Sequence, residues 1–175
     1  FNNSNLKKKY IIKSDNSFNI IEDIKDIKDV KFNNIFITTS INESLVKTFK
    51  AIEPFVNKKT LIVTPCTAIP FWWHECLKNN FKLKFKKKLE KIFAKNIKRK
   101  NLVGMTMWLS GKIEKPGKVK ISHIQRGLPI KEIYSSRKKQ VDLLRNDIKK
   151  NCRSPIVKNI FSEIFIKSLN SLAFN

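Results

Sequence analysis

The stretch that decides the fold is NIFITTSINESLVKTFKAIEPFVNKKTLIVT, residues 34–64. Its two ends, 34–40 and 60–64, are compact runs rich in β-branched and aromatic residues, which is typical of buried parallel strands. Between them, Asn42-Glu43-Ser44 is a helix-start signal, and apolar residues then recur at helical spacing. A strand, a crossover helix and a second strand make a βαβ unit, so the sequence predicts an α/β fold with a parallel sheet.

The loops that follow the two strands are the predicted place for chemistry, because parallel sheets bind ligands at the carboxyl ends of their strands. One loop follows Ser40 and the other follows Thr64. The second reads PCTAIPFWWH over 65–74 and contains three adjacent aromatic residues. These rings could pack the domain or wall a ligand pocket, and packing is the commoner fate.

The chain beyond this unit changes character twice. Residues 78–100 hold 11 Lys and Arg but one acidic residue, with apolar residues interleaved, which predicts an amphipathic element with a basic face. A β-hairpin is predicted from strands at 103–109 and 118–124 around a turn at 114–117. A final helix is expected from about Ile160 to the end at Asn175.

The final helix carries a polar stripe. Lys167, Ser171 and Asn175 follow one another at intervals of four residues, and Glu163 lies one turn earlier. A lysine followed by small polar groups suits a cleft, where an ammonium can meet a developing negative charge. The competing interpretation is a surface ion pair between Glu163 and Lys167, and the pattern alone favours that interpretation.

The net charge of 37 − 14 = +23 raises the question of a nucleic-acid partner. The phenylalanines of 78–100 could stack on bases while the neighbouring lysines contact phosphates. However, the region has no RRM, helix-turn-helix or zinc-finger signature. The chain is also rich in Lys, Ile, Asn and Phe and poor in Gly, Ala and Pro, as a biased genome composition would produce. We therefore predict no nucleic-acid partner, and a basic binding module at 78–100 is the second hypothesis.

Other classes of protein are disfavoured by what the sequence contains. No apolar run reaches the length of about 18 residues that a membrane-spanning helix needs. The three cysteines form no CxxC pair, which favours a reducing compartment, and we expect a cytoplasmic protein. Cys66, His74 and Cys76 cluster near the aromatic loop but lack a fourth ligand, so no metal site is predicted.

Three segments together resemble the 2-dehydropantoate 2-reductase (ketopantoate reductase) family. The closing stretch SEIFIKSLNSLAFN, residues 162–175, is similar to the family pattern SEIWxKLxxNxAFN. The hairpin followed by His123-Ile124 and Leu128-Pro129-Ile130 is similar to its PGxxxHI…LxLG section. Residues 67–72, TAIPFW, resemble its NGIPWW loop. The segments occur in the family's order and spacing, and the resemblance covers about residues 10–175.

The resemblance implies an oxidoreductase that reduces a 2-keto acid with NADP(H). The expected reaction converts 2-dehydropantoate to pantoate on the route to pantothenate and coenzyme A. Residues 1–158 are expected to form an incomplete Rossmann-type dinucleotide-binding domain that includes the hairpin. Residues 159–175 are expected to begin an all-helical domain, which would also form a homodimer interface.

The resemblance also assigns roles to particular residues. Lys167 matches the catalytic lysine, which would hydrogen-bond the keto oxygen. The substrate-binding positions are Asn170, Ser171 and Asn175, and the cofactor-binding positions are Ser40, Thr67 and Ala68.

Four residues at three places depart from the family pattern. Ser171 stands where the family has Asn, Thr67 and Ala68 stand where it has Asn-Gly, and Ser40 stands where it has Lys. These departures leave open a different keto acid, or a paralogue that binds its ligands without turnover.

The glycine-rich turn of dinucleotide-binding proteins is absent from these 175 residues. The chain has four glycines and no GxGxxG. Because the family places that turn upstream and continues its helical domain downstream, we expect an internal part of a two-domain protein of roughly 300 residues. On this view the 175 residues alone are inactive and bind NADPH poorly.

Overall fold

A computed structural model describes residues 23–27, 30–39, 43–67, 70–73, 97–115 and 118–173. The α-helices within these residues are α1 (Glu43–Ile52), α2 (Lys138–Lys149) and α3 (Ile160–Ala173). The strands are β1 (Asn34–Phe36), β2 (Leu61–Cys66), β3 (Leu102–Thr106), β4 (Trp108–Lys115), β5 (Lys118–Gly127) and β6 (Ile130–Glu132).

Within the described residues, four strands form one sheet in the order β1-β2-β3-β6. β1, β2 and β3 are parallel, with Phe36 beside Val63 and Cys66 beside Thr106, and β6 is antiparallel to β3. The predicted βαβ unit is confirmed, because α1 connects the parallel strands β1 and β2. The fold is a mixed α/β fold, as the sequence predicts.

Alternate residues of the strands face two apolar cores. Ile62 and Leu102 lie in a core with α1, α3 and the aromatic loop. Leu61, Val63 and Val103 lie in a second core with α2. The helices α1 and α3 therefore cover one face of the sheet, and α2 covers the other. Burial of these apolar side chains is the main force that holds the layers together.

The predicted strand over 34–40 is shorter in the structure. β1 ends at Phe36, and the Phe36 side chain is 44% exposed rather than buried. Among the described strands β1 pairs with β2 alone, so it forms the edge of the described sheet. Ile37 continues the pairing by donating its amide to the carbonyl of Val63 at 2.9 Å.

The prediction that residues 103–109 form one strand of the hairpin is wrong. Residues 102–106 are β3, a strand of the main sheet that is buried at every position, and the hairpin strand β4 begins at Trp108. The Asn101 amide donates to the carbonyls of Thr60 and Asn57, at 2.7 and 3.2 Å, which ties the start of β3 to the start of β2. An apolar run of this kind indicates a buried parallel strand rather than an exposed hairpin.

The hairpin itself is confirmed, with its strands at Trp108–Lys115 and Lys118–Gly127. β4 and β5 form a separate two-stranded sheet whose tip pairs Lys115 with Lys118, as the predicted turn requires.

None of the helices in the described part of the chain has the length and apolar character that a membrane-spanning helix needs. The basic segment 78–100 lies outside the described residues except for 97–100.

Candidate active site

The carboxyl ends of β2 and β3 meet at one edge of the sheet. Cys66 and Thr106 are partners in the register, and the Thr106 hydroxyl donates to the Cys66 carbonyl at 2.9 Å. The Cys66 thiol donates in turn to the Met105 carbonyl at 3.1 Å. These two side-chain bonds fasten the strand ends together. Thr67 follows directly and is exposed at this edge, where parallel sheets bind ligands.

The base of the hairpin stands next to this edge. Two residues after Thr106, the chain enters β4 at Trp108, which pairs with Gly127 at the end of β5. Trp108 is buried, and Arg126 is the residue before Gly127. We call Trp108, Arg126 and Gly127 the hairpin base. Its position follows from the connection of β3 to β4, which is one residue long.

Gly127 has a structural reason to be glycine. Its φ is +77°, which L side chains rarely adopt, and a Cβ at this position would lie 1.9 Å from the carbonyl oxygen of Arg153. The Leu128 amide donates to the same carbonyl at 2.8 Å. The close approach fixes the end of β5 against the chain that leads to α3.

The helix α3 is seated on the sheet by a second close approach. A Cβ on Gly104 would lie 2.8 Å from Ile160 Cγ1 and 3.1 Å from Trp72 Cη2. The absence of a side chain on β3 therefore lets the first turn of α3 reach the sheet. Ile160 and Ile164 are both buried in this contact, and they set the rotation of the helix.

The aromatic loop packs the domain rather than lining an open surface. Trp72 is fully buried, and its indole nitrogen donates to the Thr64 hydroxyl at 3.0 Å. Phe161 of α3 meets Trp72 and Trp73 edge-on, with ring centroids 5.7 and 5.0 Å apart. Of the two fates that the sequence left open for these rings, packing is the one observed.

Lys167 of α3 lies over the hairpin base. Its Nζ is 5.1 Å from the centroid of the Trp108 ring, within the range of a cation–π contact. The guanidinium carbon of Arg126 is 5.9 Å from the same centroid. One indole therefore receives two cations, one from α3 and one from β5.

The predicted surface pair between Glu163 and Lys167 is wrong. Glu163 is buried, and its Oε1 accepts a 2.8 Å hydrogen bond from Arg126. The pattern on α3 alone could not show this, because the partner comes from β5, 37 residues earlier. The consequence is that the carboxylate one turn before Lys167 is occupied by another cation.

Two buried polar atoms of this cluster have no hydrogen-bond partner among the described residues. They are the Trp108 indole nitrogen and Glu163 Oε2. Unpaired buried polar atoms are costly and rare in folded proteins, so each one calls for an explanation. The cluster thus combines an ammonium, a guanidinium, a carboxylate and two unused hydrogen-bonding atoms beside the carboxyl edge of a parallel sheet.

Only some of the other predicted site residues belong to the part of the chain that the structure describes. Asn170 and Ser171 lie on α3 beyond Lys167, and both are half-buried. Ser40, Ala68 and Asn175 lie outside the described residues. The roles of all these residues, and of Lys167 and Thr67, remain predictions.

Sequence reasoning missed Trp108 and Arg126 as site residues. A usable signal existed for Arg126, because only five of the 37 basic residues are arginine. Arginine is the better partner for a buried carboxylate, since its planar fork is always charged. Trp108 gave no comparable signal, because its place at the hairpin base depends on where β4 begins, which the sequence did not reveal.

Cys66 is buried where β2 ends. Burial raises the pKa of its thiol from 9.0 to about 12, so it stays neutral and unreactive at physiological pH. Among the described residues, no group of three or more His, Cys, Asp and Glu could hold a metal ion.

The parallel strands β1, β2 and β3, with helices on both faces of their sheet, form a Rossmann-like α/β fold. No protein-family model matches the sequence. No curated protein matches it either.

Several solved structures have a similar fold. One assigned as a 2-dehydropantoate 2-reductase from Enterococcus faecalis is 19% identical, with a TM-score of 0.58 over 81% of this chain. One assigned as a ketopantoate reductase from Ralstonia solanacearum MolK2 is 13% identical, with a TM-score of 0.65 over 79%. A D-mandelate dehydrogenase, solved with NADH and anilino(oxo)acetate, is 18% identical, with a TM-score of 0.54 over 79%. The resemblance to the ketopantoate reductases is thereby confirmed for the fold.

The present chain spans less than half of these neighbours. It covers 40%, 43% and 38% of their respective lengths.

Proposed function

We propose that this chain belongs to an enzyme that reduces a 2-keto acid with NADPH, and that its substrate is 2-dehydropantoate. The product would be pantoate, on the route to pantothenate and coenzyme A. The observation that carries the proposal is the position of Lys167. Its ammonium lies beside the carboxyl edge of a Rossmann-like sheet, over Trp108, while the neighbouring Glu163 is paired with Arg126.

The chemistry of the reaction suits this arrangement. Reduction of a ketone develops negative charge on its oxygen, and an ammonium placed there stabilises that charge and supplies the proton. A lysine held by an aromatic face rather than by a carboxylate keeps its N–H donors for the substrate. Lys167 would therefore hydrogen-bond the keto oxygen, and Asn170 and Ser171 would contact the rest of the acid.

We propose that a nicotinamide cofactor binds at the same edge. When bound, it supplies the hydride that the carbonyl carbon accepts. Thr67 is exposed where β2 ends, and its hydroxyl can both donate and accept hydrogen bonds, as a carboxamide group requires. Support also comes from the D-mandelate dehydrogenase neighbour, which was solved with NADH. We propose NADP(H) for this chain, together with Ser40 and Ala68 as further cofactor contacts.

The proposal is tested by the oxidation of NADPH in the full-length protein. We expect turnover with 2-dehydropantoate and a slower rate with NADH. Lys167→Ala should lower kcat by about 10²- to 10⁴-fold, the usual contribution of a positioned acid. Lys149→Ala is the matched control, because Lys149 is an exposed lysine on α2, across the sheet from α3. A near-normal kcat in the Lys167 variant would refute its role.

A different 2-keto acid is the second candidate substrate. It is favoured by the D-mandelate dehydrogenase neighbour and by the departures at Ser171 and Thr67. The same assay distinguishes the two, with D-mandelate and NADP⁺ used in the oxidative direction. Faster turnover of D-mandelate than of pantoate would reject 2-dehydropantoate as the substrate and keep the reaction class.

A further inference from the structure

We propose that Arg126 is a positioning residue, and that its role is to hold Glu163 so that Glu163 does not capture Lys167. This inference rests on the proposed function, because it concerns the availability of the Lys167 ammonium. It concerns two residues, Arg126 and Glu163, that are assigned no role in the proposed reaction.

The spacing on α3 creates the problem that Arg126 solves. Glu163 and Lys167 are four residues apart, with the acid nearer the helix N-terminus, which is the favoured orientation for an intrahelical ion pair. Left alone, the two side chains would pair. A lysine in such a pair would direct its N–H donors at a carboxylate rather than at a substrate.

The observed contacts show a different pairing. Arg126 donates to Glu163 Oε1 at 2.8 Å, and Lys167 lies over Trp108 instead. The Glu163 side chain is 11% exposed, so its charge is largely removed from water. A buried carboxylate needs a compensating cation, and Arg126 supplies one.

The second oxygen of Glu163 makes the competition direct. Glu163 Oε2 is buried and has no hydrogen-bond partner among the described residues. It therefore remains an acceptor with an unmet requirement, one helical turn from an ammonium. If Arg126 were lost, the uncompensated carboxylate would draw Lys167 away from Trp108, because that ammonium is the next cation along the same stripe of α3.

The hairpin base fixes Arg126 in this role. Gly127, the next residue, is pressed against the carbonyl of Arg153, so the backbone at Arg126 has little freedom. Arg126 also lies over the Trp108 ring on which Lys167 rests. The indole therefore holds both cations in place. Arg126 stays paired with the Glu163 carboxylate, and Lys167 stays over the Trp108 ring.

The test is a double-mutant cycle in the full-length protein. Arg126→Met removes the charge and keeps an apolar stem over Trp108, and we expect kcat to fall at least tenfold with an unchanged KM for NADPH. Adding Glu163→Gln removes the competing carboxylate, and kcat should return to within about threefold of wild type. The Glu163→Gln single variant completes the cycle. Because the double variant has no uncompensated buried charge, it also remains folded if Arg126→Met alone does not.

A control variant separates this role from the loss of an arginine ion pair in general. Arg145→Met removes the 2.8 Å ion pair between Arg145 and Asp142 within α2, across the sheet. We expect it to leave kcat unchanged. Two results overturn the inference. One is a near-normal kcat in Arg126→Met, and the other is a low kcat that Glu163→Gln fails to restore, which would place Arg126 on the substrate or in the folding core.

A crystal structure of the Arg126→Met variant decides the inference without any activity. Lys167 Nζ should move to within about 4 Å of the Glu163 carboxylate, the limit of an ion pair. An ammonium still over Trp108 would overturn the inference. If the wild-type protein reduces no 2-keto acid, the proposed function fails, and this structure still tells whether Arg126 keeps Glu163 from Lys167.

Discussion

Lys167 Nζ lies 5.1 Å from the centroid of the Trp108 ring. This contact joins the helix that follows the sheet to the residue that begins the hairpin. Lys167 is carried by α3, whose first turn is seated on Gly104, and Trp108 is placed by the carboxyl end of β3. The position of the ammonium therefore depends on backbone contacts at two separate places.

Replacement of Trp108 tests the aromatic support of Lys167. Trp108→Leu should lower kcat for the proposed 2-keto acid reduction by about 2- to 30-fold, since a cation–π contact contributes about 0.5–2 kcal/mol. Trp108→Phe should lose less, because it keeps an aromatic face. The lost indole N–H has no hydrogen-bond partner among the described residues, so Phe leaves no acceptor unpaired there. Steady-state kinetics of the two variants check this, and equal rates would contradict it.

Gly104→Ala tests the seat of α3. The added methyl would lie 2.8 Å from Ile160 Cγ1 in a fully packed core, and overpacking of this kind costs about 1–3 kcal/mol. Denaturant unfolding should show a loss of that size. In an Ile160→Ala background the added methyl enters the space that the Ile160 side chain has left. The stability losses of the Gly104→Ala and Ile160→Ala single variants should therefore add up to more than the loss measured for the double variant. Strict additivity would mean that Gly104 and Ile160 do not share this space.

The sequence predicted the layers of the fold better than the site. The βαβ unit, the hairpin and the last helix are local patterns, and apolar periodicity reveals them directly. The sequence did not reveal that the apolar run over 103–109 is divided between β3 and β4. A single apolar run can contain the end of a buried strand and the start of a hairpin strand, and nothing within the run marks the boundary. The partner of Glu163 was missed for a related reason. Its pairing with Arg126 depends on the register of β5 and on the rotation of α3, and neither can be read from the spacing on one helix.

The buried thiol of Cys66 should make stability depend on alkaline pH. Burial raises its pKa from 9.0 in the unfolded chain to about 12 in the folded protein. Below pH 9 the thiol is protonated in both the folded and the unfolded state, so its contribution to the unfolding free energy is present in full. As the pH rises from 9 towards 12, the unfolded chain releases the proton first, and the unfolding free energy falls by about 1.4 kcal/mol per pH unit.

The Cys66→Ala variant isolates this effect from the titration of lysines and tyrosines. Chemical unfolding of both proteins between pH 8 and 11 should show a steeper decline in the wild type than in the variant. The difference in slope is the measurement, because it does not depend on the starting stability of either protein. Parallel curves would mean that the Cys66 thiol ionises as easily in the folded protein as in the unfolded chain.

Gly127→Ala tests whether close packing at the hairpin base holds the site together. A Cβ would lie 1.9 Å from the Arg153 carbonyl oxygen, and the residue also has a φ of +77°. We expect a loss of at least about 2 kcal/mol in unfolding free energy, because neither the contact nor the dihedral angle can be kept. Since Arg126 precedes this residue, the variant should also lower kcat.

Gly127→Asn separates the two causes. Asparagine tolerates a positive φ better than alanine does, but it carries the same Cβ. If the contact with Arg153 dominates, the Asn and Ala variants should lose equal stability in thermal or denaturant unfolding. An Asn variant as stable as wild type would show that the dihedral angle alone required glycine. Arg126 would then owe its position to the conformation of one residue rather than to the packing of β5 against the chain that leads to α3.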